Sequence, residues 1–284
     1  MRNKVQLITY VNRLGHGNFK TLHKVLKEQF PDLLGGVHLL PFYSPIDGAD
    51  AGFDPTDHTQ VDPRLGDWND VKALGQDFDV VTDLIVNHVS VDSPQFQDVM
   101  AKGEASSYYD LFLKFQSVFP GGATEKQLTE IYRPRPGIPF TTYRLNDGSL
   151  RMFWTTFTAG QIDIDVFSNA GQTYITKILD QFADAKIKLI RLDAIGYAVK
   201  KAGSRCFMIP ETFEFIDFLS EKCRSRGMEV LVEIHAHYRT QIEIARHADK
   251  VYDFALPPLV LYTIFTGDIA PLHHWLDIAP RNCI

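Results

Sequence analysis

Two short apolar runs, each closing on a carboxylate, constrain this chain most. Ile187 to Ile190 leads into Arg191-Leu192-Asp193-Ala194, and Val230 to Ile234 carries Glu233 and then His235. Such runs, bounded by turns and helical patterns, predict buried parallel strands. One helix, roughly Glu211 to Arg226, separates them. Asp193 and Glu233 are therefore one strand–helix–strand unit apart. In a parallel barrel they would meet at the C-terminal rim, where such folds keep their chemistry. Arg191 stands two residues before Asp193, so strand alternation points both the same way. A guanidinium there is expected to hold Asp193 ionised. A fixed carboxylate beside a second one able to hold a proton is the equipment of a retaining glycosidase.

The same strand–helix period runs through much of the chain. Strands are expected at Val5 to Val11, Gly36 to Leu40, Val80 to Val86 and Lys250 to Phe254, besides the two carboxylate-bearing ones. Helices are expected near Thr21 to Gln29, Trp68 to Gln76, Gln172 to Ala183 and Thr240 to His247, with helical pieces up to Asp277. The alternation breaks between about Ser90 and Ser168, where Phe119-Pro120-Gly121-Gly122 and Tyr132-Arg133-Pro134-Arg135-Pro136-Gly137 favour rigid, extended backbone. The expected architecture is α/β: a TIM-type (β/α)8 barrel with only about its first six units, and a small subdomain inserted after strand three. Residues 1–89 and 169–284 would form the barrel and 90–168 the insertion. Six parallel strands alone would leave two open edges.

Composition excludes several alternatives. The 284 residues are 45% apolar and 23% charged with a net charge of −6, so no basic nucleic-acid surface is expected. No apolar run is long enough for a membrane span. Three widely spaced cysteines, Cys206, Cys223 and Cys283, fit a reducing cytoplasm. Gly15-His16-Gly17 lacks the third glycine of a dinucleotide fingerprint. His235-Ala236-His237 has the His-x-His form of some metal pairs, but its rings face one way only if the strand persists past His235. A fragment that folds only with a partner is the non-enzymatic alternative.

The motifs carry a family resemblance. Asp83-Leu84-Ile85-Val86-Asn87-His88, Ile190-Arg191-Leu192-Asp193-Ala194 and Val232-Glu233-Ile234-His235 resemble the strand-three, strand-four and strand-five signatures of the α-amylase superfamily, glycoside hydrolase family 13. Gly48-Ala49-Asp50-Ala51-Gly52-Phe53-Asp54-Pro55, the Arg-Pro-Arg-Pro-Gly run at 133–137 and Tyr252-Asp253-Phe254-Ala255-Leu256-Pro257 are similar to its sucrose-cleaving phosphorylase branch.

The resemblance implies sucrose and inorganic phosphate as substrates, no cofactor and no catalytic metal. Asp193 would be the nucleophile and Glu233 the acid and base. Asp50, His88, Arg191 and His235 would hold the glucosyl hydroxyls, and Phe53 would pack on the ring. Phe157, Gln161 and Tyr197 would line the same pocket, and Arg135 would reach the phosphate or fructose side. Glu233 would have a pKa above that of Asp193, with the two carboxyls about 5–5.5 Å apart. Members often form homodimers. The family's third catalytic carboxylate, in a His-Asp pair after strand seven, has no counterpart here. The isolated chain is therefore expected to be weakly active or inactive.

Overall fold

The computed structural model describes residues 1–284. Six strands form one sheet in chain order: β1 (Val5–Thr9), β2 (Leu34–Leu39), β3 (Asp79–Ile85), β4 (Leu189–Asp193), β5 (Glu229–Val232) and β6 (Lys250–Val251). Every neighbouring pair is parallel. A parallel pair needs a long crossover, and helices supply it. They are α1 (Phe19–Gln29), α2 (Trp68–Asp77), α3 (Asn169–Asp184), α4 (Pro210–Arg224) and α5 (Tyr238–Ile244), with α6 (Leu256–Thr266) and α7 (Ala270–Ile278) after β6. The result is a half-barrel in which β1 and β6 each have a single neighbour in the sheet.

Local chemistry sets where these elements begin. Asn18 and Thr21 form a capping box at the start of α1, and Asp67 and Asp70 form one at the start of α2. Phe19, Leu22 and Leu26 lie on one buried face of α1 at the spacing an amphipathic helix requires. β3 is buried along its whole length, its apolar pairs Val80-Val81 and Leu84-Ile85 flanking Thr82 and Asp83. The main core joins 51 buried residues from strands and helices alike.

Three strands are shorter than their apolar runs. Tyr10 and Val11 lie beyond β1, which ends at Thr9. β5 stops at Val232, because β6 pairs only with Leu231 and Val232. β6 itself has two residues: the Asp253 carboxylate accepts from the Ala255 and Leu256 amides, turning the chain into α6. Glu233, Ile234 and His235 thus lie past the strand end, and His237 caps α5. The persistent strand that a His235–His237 metal pair would need is not formed.

Between β3 and α3 the chain changes style. His88–Ser90 pairs antiparallel with Gln161–Asp163, and Phe140–Arg144 pairs antiparallel with Leu150–Trp154. A second small apolar cluster gathers Leu113, Phe119, Ile131, Phe140 and Trp154, with Cys206.

Candidate active site

The site is built around one guanidinium. Arg191 on β4 sits opposite Asp83 on β3 in the strand register, and Asp193 follows on the same face. Arg191 Nη1 donates to Asp83 Oδ1 at 2.5 Å and to Asp193 Oδ1 at 2.9 Å. Its Nη2 lies 3.7 Å from Glu233 Oε2. One cation therefore faces three carboxylates. Asp83 is wholly buried, and its other oxygen lies 3.1 Å from His38 Nε2 on β2. Burial opposes the Arg191 charge, but Asp83, Asp193 and Glu233 outweigh it and raise its pKa.

Asp193 departs from expectation. Burial pushes its carboxyl up to about 7, with Arg191 opposing and Asp83 and Glu233 adding to the rise. The expectation that Arg191 simply holds Asp193 ionised is corrected here. The guanidinium is shared, and its shorter contact is with Asp83, so Asp193 receives only part of its field.

A turn completes the pocket. Ala194 adopts a left-handed conformation, φ 55°, which swings the chain from β4 into a short 3-10 turn, Ile195–Tyr197. That conformation is costly for a residue with a side chain and is held by its surroundings. A cavity of about 230 Å³ opens here, with Asp193, Glu233, His235, Tyr197, Phe157 and Tyr132 in its wall. Tyr197 stands 5.2 Å from Phe157 and 4.7 Å from Phe207, ring centre to ring centre. His235 is largely exposed, stacks on Phe254 at 3.9 Å, and places Nδ1 3.2 Å from Glu233 Oε1.

A second polar group adjoins this wall. Gln161 Nε2 donates to Asp50 Oδ2 at 2.9 Å and lies 3.1 Å from His88 Nε2. His88 Nε2 is also 3.0 Å from the Phe53 carbonyl oxygen, and burial lowers its pKa, which favours the neutral ring. The His88 ring is 5.1 Å from Phe157, and Phe53 lies 5.5 Å from the Arg191 guanidinium carbon. Ten of the eleven residues singled out in the sequence thus fall into two adjoining groups. Arg135 does not: it is exposed and makes no ion pair or side-chain hydrogen bond.

Four neighbours of the site were not singled out. Asp83 was quoted only within a strand signature, although a carboxylate inside an apolar run is itself a signal of a buried partner. Tyr132 and Phe207 enter through folding of distant loops. Lys200 is nearly buried and pairs with Asp163 at 2.8 Å, while donating to Asn87 Oδ1 at 2.8 Å and to the Tyr197 carbonyl. Its partner lies in the inserted segment, so no local pattern reveals it.

Residues 34–246 match the family described as alpha amylase, catalytic domain. Over its full length the chain is 60% identical to a sucrose phosphorylase of Agrobacterium vitis, spanning 58% of that protein. It is 53% identical to a sucrose phosphorylase of Bifidobacterium adolescentis, again over the full chain and 56% of the relative. The crystal structure of sucrose 6F-phosphate phosphorylase from Thermoanaerobacter thermosaccharolyticum matches with a TM-score of 0.93 at 37% identity, covering 100% of this chain and 58% of that one. The chain thus spans less than two thirds of the length of these relatives.

Proposed function

We propose a function from a plain premise: the chain belongs to the alpha-amylase catalytic-domain family. The reaction is retaining glucosyl transfer, the phosphorolysis of sucrose to α-glucose 1-phosphate and fructose. The observation that carries it is the single Arg191 guanidinium reaching both Asp193 and Glu233 beside a cavity with aromatic walls. The Asp193 carboxylate attacks the anomeric carbon of the glucosyl unit. The bond to the fructose oxygen breaks, and Glu233 gives that oxygen a proton. A β-glucosyl ester results. A phosphate oxygen then attacks the same carbon, the ester bond breaks, and Glu233 takes back a proton. Two inversions give net retention.

The side chains divide the remaining work. Asp50, His88, Arg191 and His235 hold glucosyl hydroxyls, Phe53 packs on the ring, and Phe157, Gln161 and Tyr197 close the pocket. Arg135, free of protein partners, serves the phosphate or fructose side. Only ionised Asp193 is a nucleophile, and its carboxyl titrates at about 7. Sucrose cleavage gains as pH rises through that value only while Glu233 keeps the proton it must donate. Residues 1–89 and 169–284 act as the barrel and 90–168 as an inserted subdomain; the antiparallel pairing of Phe140–Arg144 with Leu150–Trp154, apart from the parallel main sheet, supports that division. Three cysteines outside any disulfide support a cytoplasmic setting, and no helix is long and apolar enough to cross a membrane.

A second reading has its own observation. β1 lacks an outer neighbour, β6 has only the single bridge of Val251 to Cys283 on its outer side, and Ile264 and Phe265 on α6 are 70% and 84% exposed. Such edges and faces favour a segment that works only with further strands. One assay separates the readings: release of α-glucose 1-phosphate from sucrose and phosphate, by the chain alone and mixed with the unmatched remainder of the Agrobacterium vitis relative. Phosphate-dependent product from the chain alone supports self-sufficient phosphorolysis. Product only from the mixture supports partner dependence. Glucose release that ignores phosphate points to a hydrolase, and silence in every arm sinks the proposed function.

A further inference from the structure

Asp83 is held from two sides. Its Oδ1 takes the shorter of two contacts from Arg191 Nη1, 2.5 Å against 2.9 Å to Asp193 Oδ1. Its Oδ2 lies 3.1 Å from His38 Nε2, and no other side chain donates to that oxygen. The two partners come from the flanking strands, His38 from β2 and Arg191 from β4. The Asp83 and His38 side chains are 0% and 5% exposed, so water does not replace either contact. An ionised carboxylate only accepts, so His38 carries a proton on Nε2.

The pairing reaches Asp193 through the shared guanidinium. Burial already pushes the Asp193 carboxyl up to about 7, and the negative charge of Asp83 adds to the rise. Asp83 also competes for Arg191. A donor on Asp83 Oδ2 draws charge away from Oδ1 and weakens both effects. The other charged groups nearby are committed elsewhere. The Met1 ammonium and Lys250, which share a cavity with His38, face Glu229 at 3.0 Å and 3.3 Å; Arg2 faces Asp79 at 3.6 Å, and Lys4 donates to the Asp32 carbonyl. Burial raises Tyr10, Tyr43 and Tyr252, which keeps the three phenols neutral. Glu233 meets the guanidinium at its other nitrogen, Nη2, at 3.7 Å. We propose that His38 is a positioning residue: its hydrogen bond to Asp83 sets how the Arg191 charge is divided between Asp83 and Asp193, in favour of Asp193. The proposal deepens the reading of Asp193 as nucleophile and rests on it.

The test is a pH titration of the 284-residue chain, labelled with carbon-13 at its aspartate carboxyls, followed by NMR. The Asp193 signal is the one missing from Asp193→Asn. His38→Leu removes the donor and should raise the Asp193 midpoint by about half a pH unit or more. His38→Gln returns an N–H close to where Nε2 stands and should return the midpoint to that of the unsubstituted chain. In the unsubstituted chain, long-range proton–nitrogen correlation should find the His38 proton on Nε2, a readout that holds even where His38→Leu does not fold. An unmoved or lowered midpoint in His38→Leu, the same midpoint in His38→Gln as in His38→Leu, or a bare Nε2 would each overturn the proposal. The titration follows the Asp193 proton without turnover, so it stays readable if no glucosyl ester forms.

Discussion

Replacing Lys200 by Met tests how the inserted segment is fastened to the barrel. The Lys200 and Asp163 side chains are 2% and 0% exposed, and their charged atoms lie 2.8 Å apart. Asp163 also accepts from Asn87 Nδ2 at 3.1 Å and from the Thr156 amide at 3.0 Å. Met fills most of the lysine's volume but leaves a carboxylate buried without its cation. Breaking a buried pair from one side typically costs about 3–5 kcal/mol. For a chain of this length that is roughly 6–12 °C in Tm, at about 2 °C or slightly more per kcal/mol. The double variant Lys200→Met with Asp163→Asn removes both charges and should recover more than half of the loss. Urea denaturation of the four chains in the cycle supplies the coupling energy. A single-variant loss below about 1 kcal/mol, as for exposed pairs, would refute the reasoning. So would a double variant whose loss is the sum of the two single losses.

Three further outcomes follow from the site. Asp193→Asn should change how stability depends on pH: burial raises the carboxyl from 3.8 to about 7 in the folded chain, so folded Asp193 keeps its proton where the unfolded chain has released it. Its contribution is most favourable below about pH 4 and declines as pH rises to about 7, so the Asn variant should be the more stable at pH 8, by up to about 4 kcal/mol; a pH-independent difference would contradict this. Tyr43→Phe strips a buried hydroxyl that lies 2.8 Å from Thr82 Oγ1 and donates to the Asp83 carbonyl at 2.7 Å; urea denaturation should show a loss of about 1–2 kcal/mol, and no loss would remove Tyr43 from the support of Asp83. Glu233→Gln should slow sucrose cleavage by about 10²–10⁴-fold, with much less effect on a donor whose leaving group needs no proton; an equal effect on both donors would argue against an acid role.

The strand order, the helices between strands and the change of style after β3 were legible because each rests on a local pattern. β3 is a short, mostly apolar run, and α1 and α2 begin at side-chain caps that a few residues define. Strand ends were less legible. β5 and β6 stop where their partners stop, and pairing is not a property of one segment. The meeting of Asp193 with Glu233 was legible from spacing and strand direction. The balance of charge at Asp193 was not: adjacency to Arg191 can be read from two positions, whereas depth of burial and the rival claim of Asp83 depend on three strands coming together. Lys200 and Asp163 escaped for the same reason, since their pairing exists only once the insertion folds back on the barrel.

The central claim is that Asp193 forms a covalent glucosyl ester. It is tested most directly by mixing the chain with α-glucosyl fluoride, quenching with acid and mapping the peptides by mass spectrometry. Fluoride leaves without a proton from Glu233, so a single covalent event suffices even where turnover is slow. The account predicts one glucosyl unit on the peptide containing Asp193 and none in the Asp193→Asn variant. A glucosyl unit on Glu233 or elsewhere, or an unmodified chain, would contradict it.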